Sequence, residues 1–313
     1  MREAVMVLLY KGDIERGREW RALFARHAAD IEVRLWPDVG DPNEIRYLLA
    51  WMPPEDIAER FPALEAVFAT SAGVDQFDIT RLPAKLPLVR MLDPGIEQGM
   101  REYASFATLY LHRLIPFYQR QQTQRRWSPQ RLVPAARRRV GIMGLGRLGA
   151  SVAEQLRGLG FSVRGWSRSP RELEGVHCYA GEQALPEFLA DTDILICLLP
   201  LTDATRGILD ARLFRALPEG AALINMGRGA HLVEDDLIEA LDSGRLSGAV
   251  LDVLNEEPPP DDHPFWAREE ILLTPHIAAM TLPDSAFPVL LDNLRRHQRG
   301  EPMRGTVDRG SGY

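Results

Sequence analysis

Val140-Gly141-Ile142-Met143-Gly144-Leu145-Gly146-Arg147-Leu148-Gly149 is the stretch of sequence that decides the fold. It is a short apolar run that passes into Gly-x-Gly-x-x-Gly, and a helical pattern from Ala150 to Leu159 follows directly. Gly144 permits a tight turn, Gly146 lets the backbone approach a pyrophosphate, and Gly149 lets helix and strand pack closely. The helix start offers N–H groups and the positive end of its dipole to that phosphate. We therefore predict a dinucleotide site here, and an ordinary glycine-rich turn is the alternative.

The end of the next predicted strand indicates which nucleotide binds. An acidic residue that bonds the ribose 2′-hydroxyl is usual there, about 20 positions after the glycines. Here the strand from Phe161 to Trp166 ends in Ser167-Arg168-Ser169, without a carboxylate. A carboxylate would repel a 2′-phosphate, whereas a guanidinium binds one through paired charge-assisted hydrogen bonds. We therefore predict NADP(H) in preference to NAD(H); the alternative is that Arg168 is only a solvated turn residue.

Length and composition limit the class of protein. The 313 residues exceed the usual size of one domain, so two domains are expected. Hydrophobic residues make up 45% of the chain and charged residues 26%, which is sufficient for sizeable cores. The net charge of −7 argues against a nucleic-acid partner. No stretch approaches the length needed to span a bilayer, so we expect no membrane partner either.

The cysteines and the amino terminus indicate the compartment. Cys197 lies in the apolar strand Ile194–Leu199 and Cys178 lies near another short strand, so we expect no disulfide framework. The apolar run Met1–Tyr10 is too short for a signal peptide and has no small-residue cleavage pattern. We therefore expect a cytoplasmic protein, and we predict no metal site.

Apolar runs alternate with helical patterns along the chain, which predicts two α/β units in series. The predicted strands of the first unit are Ala4–Tyr10, Glu32–Trp36, Tyr47–Trp51, Ala66–Thr70 and Leu88–Met91. Those of the second are Val140–Met143, Ser162–Trp166, His177–Tyr179, Ile194–Leu199, Ala222–Asn225, Gly248–Leu251 and Ile271–Leu273. The predicted fold class is α/β, with two flavodoxin- or Rossmann-like parallel-sheet domains and a cleft between them.

Two further segments connect these units. Gly99–Arg120 is long, amphipathic and rich in aromatic residues, which predicts a helix that leaves the first domain. Gln121–Pro134, which contains Trp127, has the composition of an extended arm. We predict a substrate domain at residues 1–98 plus 284–313 and a dinucleotide-binding domain at residues 99–283.

Three other segments carry reactive groups just after predicted strands, where open α/β sheets place their ligands. The Gly-Arg-Gly turn around Arg228 displays a guanidinium that suits a carboxylate or a polarised carbonyl oxygen. A series of carboxylates begins at Asp252. His276 follows a proline, and an imidazole that titrates near neutral pH suits a general acid–base. Each has a plainer alternative when taken singly: a solvated arginine, an acidic loop and a structural histidine.

Together these segments resemble the D-isomer-specific 2-hydroxyacid dehydrogenase family. The family's signatures are an N-x-x-R-G turn, an acidic D-V-x-x-x-E-P loop and a T-P-H motif. Here they read Asn225–Gly229, Asp252–Pro258 and Thr274–His276. The loop Ala72-Gly73-Val74-Asp75 matches the family's substrate-carboxylate loop, and the resemblance covers nearly the whole chain.

The resemblance implies a role for each matched catalytic residue. Arg228 binds the substrate carboxylate and the carbonyl oxygen. His276 donates a proton to that oxygen as hydride arrives from the nicotinamide. Glu257 pairs with His276, and an adjacent carboxylate favours the imidazolium form. Glu256 is the less favoured partner.

The resemblance also implies two binding sets. Backbone N–H groups of Gly73 and Val74 hold the substrate carboxylate, and Asp252 contacts the nicotinamide amide. The substrate-binding set is Trp51, Met52, Ala72, Gly73, Val74 and Arg228. The cofactor-binding set is Gly144, Gly146, Arg147, Leu148, Gly149, Ser167, Arg168, Leu199, Pro200, Met226, Gly227, Asp252 and His276.

The implied activity is NADPH-dependent reduction of small 2-oxoacids to D-2-hydroxyacids. Further segments resemble a branch of the family that reduces glyoxylate and hydroxypyruvate: Trp51–Pro54, Glu97–Tyr103, Trp166–Arg168 and Val307–Arg309. Met52 departs from that branch, where a polar residue such as His is expected. A larger or less polar 2-oxoacid is therefore the alternative substrate.

The resemblance further implies a homodimer formed through the cofactor domains. Our hypothesis for the contact is Gly99–Arg120 with the arm around Trp127, and the alternative is that Trp127 covers its own subunit. Two other functions stay open. Some proteins with this fold are NAD(H)-responsive co-repressors, although the presence of all three catalytic residues favours an enzyme. Phosphoglycerate- and formate-type dehydrogenases of the same family are usually NAD-linked, and Arg168 argues against the phosphoglycerate type.

Overall fold

The chain folds into two α/β units in the computed structural model, which describes residues 6–309. Unit 1 contains the residues up to Ile96 and those from Met280 onward, and unit 2 is Glu97–Ala279. The domain boundaries at 98/99 and 283/284 stay a prediction. Ala4 and Val5, the start of the first predicted strand, lie outside the described residues.

Within residues 6–309, twelve strands and nine α-helices form. The strands are β1 (Met6–Lys11), β2 (Ile31–Leu35), β3 (Ile45–Ala50), β4 (Ala66–Ala69), β5 (Leu88–Val89), β6 (Arg139–Met143), β7 (Ser162–Ser167), β8 (His177–Ala180), β9 (Ile194–Cys197), β10 (Ala221–Asn225), β11 (Leu246–Leu251) and β12 (Ile271–Leu273). The helices are α1 (Ile14–His27), α2 (Ile57–Arg60), α3 (Pro94–His112), α4 (Ile115–Thr123), α5 (Arg147–Gly158), α6 (Leu185–Ala190), α7 (Ala211–Ala216), α8 (Glu234–Asp242) and α9 (Pro283–Gln298).

The sheet of unit 1 is parallel, with its described strands in the order β2-β1-β3-β4-β5. Strand β3 is buried from Tyr47 to Ala50 without alternation, as expected for a parallel strand covered on both faces. Trp20 and Phe24 of α1 are fully buried, and the Phe24 ring packs edge-on against Phe287 of α9 with centroids 5.0 Å apart.

The sheet of unit 2 is also parallel, in the order β12-β11-β10-β9-β6-β7-β8 over the described residues. The chain builds outward from β6 through β7 to β8, and then returns to the other side of β6 at β9. The order therefore reverses at β6, and a crevice forms at the carboxyl ends of strands beside such a point. Helix α5 follows β6 and buries Val152 and Leu156, four residues apart, on one face. The predicted class of two parallel-sheet α/β domains is confirmed.

The predicted helix Gly99–Arg120 is wrong as one continuous element. Helix α3 ends at His112 and α4 begins at Ile115, because Leu114 adopts a left-handed conformation with φ of 56°. Pro116 follows in the first turn of α4, where its missing N–H costs no helical hydrogen bond. The break thus turns the chain between two helices.

Two properties bear on the expected compartment. Both cysteines are free thiols, Cys197 buried and Cys178 half-buried. In the part of the chain that the structure describes, no helix combines the length and the apolar character that crossing a membrane requires.

Candidate active site

The carboxyl ends of six neighbouring strands bring the predicted residues of unit 2 to one edge of its sheet. Parallel strands all end at the same edge, so residues far apart in sequence converge there. In sheet order, the residues after β12, β11, β10, β9, β6 and β7 are Thr274 to His276, Asp252, Met226 to Arg228, Leu199 and Pro200, Gly144, and Arg168.

The three glycines after β6 meet different surroundings. Gly144 has φ of +104°, and a Cβ there would lie 2.7 Å from the Leu198 carbonyl oxygen. A Cβ on Gly149 would lie 1.8 Å from the Gly144 oxygen, so strand and helix leave no room for a side chain. A Cβ on Gly146 would meet no protein atom within 4 Å. Packing therefore requires glycine at positions 144 and 149, whereas Gly146 keeps the open face of the turn clear, which fits a bound pyrophosphate.

Arg147 begins α5 immediately after that turn, and Leu148 beside it is half-buried. The Arg147 Nε donates to Glu97 Oε2 at 2.8 Å, in an ion pair with the start of α3. Positive charge and helix N–H groups together favour a phosphate at this point. Glu97 holds the guanidinium beside the turn.

The turn after β7 carries the residues predicted to select the nucleotide. Ser167 is the last residue of the strand, and its Oγ donates to the Ser169 carbonyl at 2.7 Å. Trp166 Nε1 donates to the Gly181 carbonyl at 2.9 Å and fixes the strand end. Arg168 is exposed at the tip of this turn. A hydroxyl and a guanidinium thus stand where an acidic residue would exclude a 2′-phosphate.

The Arg228 turn after β10 is held by side chains on either side of it. Asn225 Oδ1 accepts from the Gly227 N–H at 3.1 Å, and its Nδ2 donates to the Arg228 carbonyl at 3.0 Å. His231 Nδ1 accepts from the Arg228 N–H at 3.0 Å. Arg228 Nη1 donates to the Gly227 carbonyl at 2.8 Å. The turn therefore contributes to the position of the guanidinium.

Glu257 and His276 form a hydrogen-bonded pair, with Oε2 and Nδ1 2.7 Å apart. The other carboxylate oxygen accepts from the Leu254 N–H at 3.0 Å. Partial burial raises the pKa of Glu257, but the His276 hydrogen bond, the Leu254 N–H and the charges of His276 and Arg228 outweigh it, so the pKa lies below its ordinary value. Glu257 is therefore a carboxylate at neutral pH.

Asp252 is almost fully buried, and its carboxylate bonds to the loop that carries His276. Oδ1 accepts from the Ile277 N–H and Oδ2 from the Ala278 N–H, both at 2.8 Å. His276 itself has φ of +54°, a conformation that non-glycine residues rarely adopt. Burial raises the pKa of Asp252 above its ordinary value, although the hydrogen bonds of Thr274, Ile277 and Ala278 and the charge of His276 oppose that shift. The contact with the nicotinamide amide stays a prediction.

A hydroxyl chain extends this support to α3. Thr274 Oγ1 donates to Asp252 Oδ1 at 2.6 Å and is also 2.5 Å from the Tyr103 hydroxyl. Tyr103 is buried, and burial raises the pKa of its phenol. The loop of the T-P-H motif is therefore held by hydrogen bonds to the neutral phenol of Tyr103 and to the carboxylate of Asp252.

The predicted substrate-binding residues of unit 1 follow β3 and β4. Trp51 and Met52 are exposed, and Lys11 Nζ donates to the Met52 carbonyl at 2.8 Å. In the Ala72–Val74 loop, Val74 is buried and Ser71 Oγ donates to the Gly73 carbonyl at 2.7 Å. Ser71 thus fixes the loop from inside.

A profile of the D-isomer specific 2-hydroxyacid dehydrogenase NAD binding domain matches residues 106–278. The chain belongs to the D-isomer-specific 2-hydroxyacid dehydrogenase family. The predicted enzyme class, an NAD(P)-dependent 2-hydroxyacid dehydrogenase, is thereby confirmed.

Relatives identify the branch of the family. Glyoxylate/hydroxypyruvate reductase A of Serratia proteamaculans (strain 568) is 41% identical over 314 residues, covering 98% of this chain and 100% of that protein. A D-isomer specific 2-hydroxyacid dehydrogenase of Xanthobacter autotrophicus Py2, solved with NADPH and MES, is 41% identical with a TM-score of 0.92, covering 99% of this chain and 100% of that one. An NADPH-dependent glyoxylate/hydroxypyruvate reductase of Sinorhizobium meliloti, solved with NADP and sulfate, is 36% identical with a TM-score of 0.91, covering 98% and 99%. The predicted resemblance to glyoxylate/hydroxypyruvate reductase A is confirmed.

Sequence reasoning did not single out three residues that support the dehydrogenase site. They are His231, which accepts a hydrogen bond from the Arg228 N–H, Tyr103, whose hydroxyl bonds to Thr274, and Ser71, which donates to the Gly73 carbonyl. His231 carries a weak local signal, since a polar ring three residues after Arg228 is placed to bond its turn. The Tyr103 contact spans 171 positions and has no local signal. Within the described residues, no cluster of side chains suits a metal ion.

Proposed function

We propose that this protein is an NADPH-dependent reductase of small 2-oxoacids, converting glyoxylate to the achiral 2-hydroxyacid glycolate and hydroxypyruvate to a D-2-hydroxyacid. The observation that carries the proposal is the Glu257–His276 pair at 2.7 Å, on the same sheet edge as the Arg228 turn and the glycine turn. Relatives at 41% identity that bear the name glyoxylate/hydroxypyruvate reductase A support the substrate class.

His276 is the proposed general acid. Its Nδ1 is held by Glu257, so Nε2 is the nitrogen that donates a proton to the carbonyl oxygen of the substrate. The ionised Glu257 stabilises the imidazolium from which that proton comes. Arg228 orients the substrate by binding its carboxylate and carbonyl oxygen through paired N–H donors. NADPH, when bound, supplies the hydride for the carbonyl carbon.

The residues of unit 2 fit NADP(H) in preference to NAD(H). We assign the pyrophosphate to the turn formed by Gly144, Gly146, Arg147, Leu148 and Gly149. The 2′-phosphate is assigned to Ser167 and Arg168, because the Arg168 guanidinium donates charge-assisted hydrogen bonds and neither side chain carries a negative charge that would repel the phosphate. Relatives from Xanthobacter autotrophicus and Sinorhizobium meliloti solved with NADPH or NADP support this assignment.

Other residues complete the proposed cofactor and substrate sets. Leu199, Pro200, Met226 and Gly227 line the cofactor site, and Asp252 contacts the nicotinamide amide. In the domain formed by residues 1–98 plus 284–313, the N–H groups of Gly73 and Val74 hold the substrate carboxylate, and Ala72, Trp51 and Met52 contact the rest of the substrate. The domain of residues 99–283 binds the nucleotide.

A larger or less polar 2-oxoacid is the second candidate substrate. Met52 favours it, because its thioether side chain is 54% exposed at a position where a polar residue is expected for hydroxypyruvate. An apolar group of the substrate would bury that surface and gain hydrophobic stabilisation.

We further propose a homodimer and a cytoplasmic location. The dimer is supported by the apolar side chains that α3, α4 and the arm expose, among them Phe106, Leu109 and Trp127. The location is supported by the two free thiols, which suit a reducing compartment.

The experiment follows the absorbance of NADPH, and separately of NADH, with glyoxylate, hydroxypyruvate and 4-methyl-2-oxopentanoate. We expect the first two to be reduced, with NADPH preferred. Preference for the branched oxoacid would favour the second candidate, and a clear NADH preference would contradict the nucleotide assignment. Arg228→Ala is the matched test of substrate binding, expected to raise KM and lower kcat together.

A further inference from the structure

His231 is a fully buried polar side chain beside the Arg228 turn, and the proposed chemistry does not use it. It ends the short 3-10 turn Gly229–His231. Its Nδ1 accepts from the backbone N–H of Arg228 at 3.0 Å. Its Nε2 lies 3.3 Å from the carbonyl oxygen of Pro200. One imidazole thus contacts two segments that follow different strands, β10 and β9.

The partners fix the state of the ring. A peptide N–H can only donate, so the Nδ1 facing Arg228 has a free lone pair. A carbonyl oxygen can only accept, so the Nε2 facing Pro200 carries the hydrogen. His231 is therefore a neutral imidazole with its proton on Nε2, and both nitrogens are satisfied.

The ring has little freedom to leave this position. The His231 N–H donates to the Arg228 carbonyl at 3.1 Å, so the two residues bond reciprocally. Its own carbonyl accepts from the Leu209 N–H at 2.9 Å. A Cβ on Gly227 would lie 2.9 Å from His231 Nδ1, so a side chain at 227 would push the ring away.

We propose that His231 is a positioning residue that couples the Pro200 segment to the Arg228 turn, with one nitrogen serving each. The Nδ1 contact sets the direction of the Arg228 side chain by fixing its peptide plane. The Nε2 contact fixes the carbonyl of Pro200 and, with it, a segment assigned to the cofactor site. This inference rests on the proposed function, in which Arg228 binds the oxoacid and Pro200 lines the cofactor site.

Substitution of His231 by asparagine or by glutamine tests the roles of its two ring nitrogens separately. His231→Asn keeps an acceptor at the position of Nδ1 but has no atom at Nε2, and His231→Gln keeps a donor near Nε2 but has no acceptor at Nδ1. His112→Asn and His112→Gln are the matched controls, because His112 is also buried and packs on Phe161 in the same unit. The measurements are Kd for NADPH by fluorescence titration, KM and kcat for hydroxypyruvate at saturating NADPH, and Tm.

The two variants are expected to impair different properties, NADPH binding in one and the binding and reduction of hydroxypyruvate in the other. His231→Asn raises the Kd for NADPH by about tenfold and leaves KM within about twofold, because one buried hydrogen bond is lost at Pro200 only. His231→Gln leaves that Kd within about twofold, but raises KM and lowers kcat by about tenfold each, because the Arg228 N–H loses its acceptor. Both lower Tm, as do the His112 controls, which change neither Kd nor KM.

Equal effects of the Asn and Gln variants on Kd, KM and kcat would overturn the proposal. A lower Tm with unchanged Kd, KM and kcat would overturn it too. Wild-type protein that binds NADPH but reduces no 2-oxoacid would contradict the proposed function instead, and the Kd contrast would still test the Pro200 contact. If neither variant folds, long-range ¹H–¹⁵N spectra of the wild-type protein at neutral pH show which nitrogen of the His231 imidazole carries the proton. We expect a proton on Nε2 alone, and a proton on Nδ1 would overturn the proposal.

Discussion

At the scale of single residues, His276 is held in a conformation that the chain would not adopt by itself. A left-handed backbone at a non-glycine residue is unfavourable by about 1–3 kcal/mol and persists where neighbouring bonds impose it. Asp252 imposes it here, because its carboxylate accepts the N–H groups of both residues that follow His276. The strained backbone directs the imidazole to Glu257.

The first prediction concerns the general acid. His276→Ala should lower kcat for hydroxypyruvate by about 10²–10⁴-fold, the usual loss when a positioned acid is removed. The Kd for NADPH should stay near the wild-type value, because the glycine turn and Arg168 are untouched. Stopped-flow reduction and fluorescence titration measure the two quantities. His27→Ala, in α1 of unit 1, is the control, and near-normal turnover by His276→Ala would refute the assigned role.

The second prediction concerns the nucleotide. Arg168→Ala should weaken NADPH binding by about 10–100-fold, since a hydrogen bond to a charged group contributes about 1.5–3 kcal/mol. The Kd for NADH, which has no 2′-phosphate, should change little. Titration of both nucleotides gives the ratio. Arg212→Ala removes an arginine whose side chain is 87% exposed and controls for net charge. Parallel losses for both nucleotides would show that Arg168 does not recognise the 2′-phosphate.

The sequence predicts the reacting residues more completely than it predicts the residues that support them. The glycine turn and the segments of Arg228, Glu257 and His276 each have a local pattern after a strand. The contact of Tyr103 with Thr274 joins helix α3 to the end of β12, and that of His231 with Pro200 joins segments that follow β10 and β9, so both depend on the tertiary fold. The sequence predicts Asp252 as a cofactor contact, but its bonds to the His276 loop have no signature within its own segment.

At the scale of elements, β6 and β9 are joined at their start by Arg139 and Asp193. The Arg139 N–H and Nε both donate to Asp193 Oδ2, at 2.9 and 3.1 Å. Burial raises the pKa of Asp193, but the side chain and N–H of Arg139 outweigh it and hold the pKa below its ordinary value. The pair therefore ties the central strand of the unit to its neighbour through a carboxylate that stays ionised into acid.

The third prediction is the pH dependence of that pair. A carboxyl whose folded pKa is lowered stabilises the fold above its ordinary pKa of 3.8, and loses this contribution as pH falls towards the folded value. Asp193→Asn should therefore lower the urea midpoint of unfolding at neutral pH, by an amount that is constant to about pH 5 and shrinks below it. Asp242→Asn, in the exposed pair with Arg268, should change the midpoint little. A difference independent of pH would contradict the ion-pair explanation.

The ends of helices and strands can be predicted where a local sequence signal marks them, but not where the chain bends without such a signal. The turn from β6 into α5 could be predicted because each glycine has a local reason. The break between α3 and α4 could not, because the amphipathic pattern continues across it. Leu114 adopts its left-handed conformation without a glycine or asparagine to mark it, and Pro116 in the first turn of α4 does not by itself show that α3 has ended.

At the scale of the whole molecule, α3 and the arm that follows α4 each expose an aromatic side chain, Phe106 and Trp127. Tyr103, Phe106 and Tyr110 are spaced as one helical face, with successive centroids 5.8 and 5.9 Å apart. Phe106 is 46% exposed and Trp127 of the arm is 97% exposed. A concentration of exposed aromatic side chains is typical of a protein–protein contact.

The fourth prediction is that this surface pairs two copies of the chain. Light scattering of the wild-type protein should give twice the chain mass of 35.2 kDa. Phe106→Glu should shift it towards monomer at micromolar concentration, because a carboxylate buried without a partner is strongly unfavourable at an interface. Leu159→Glu changes a residue that is 40% exposed at the end of α5 and should leave the dimer intact. Wild-type particles of 35.2 kDa alone would exclude the dimer, and equal dissociation by both variants would place the contact elsewhere.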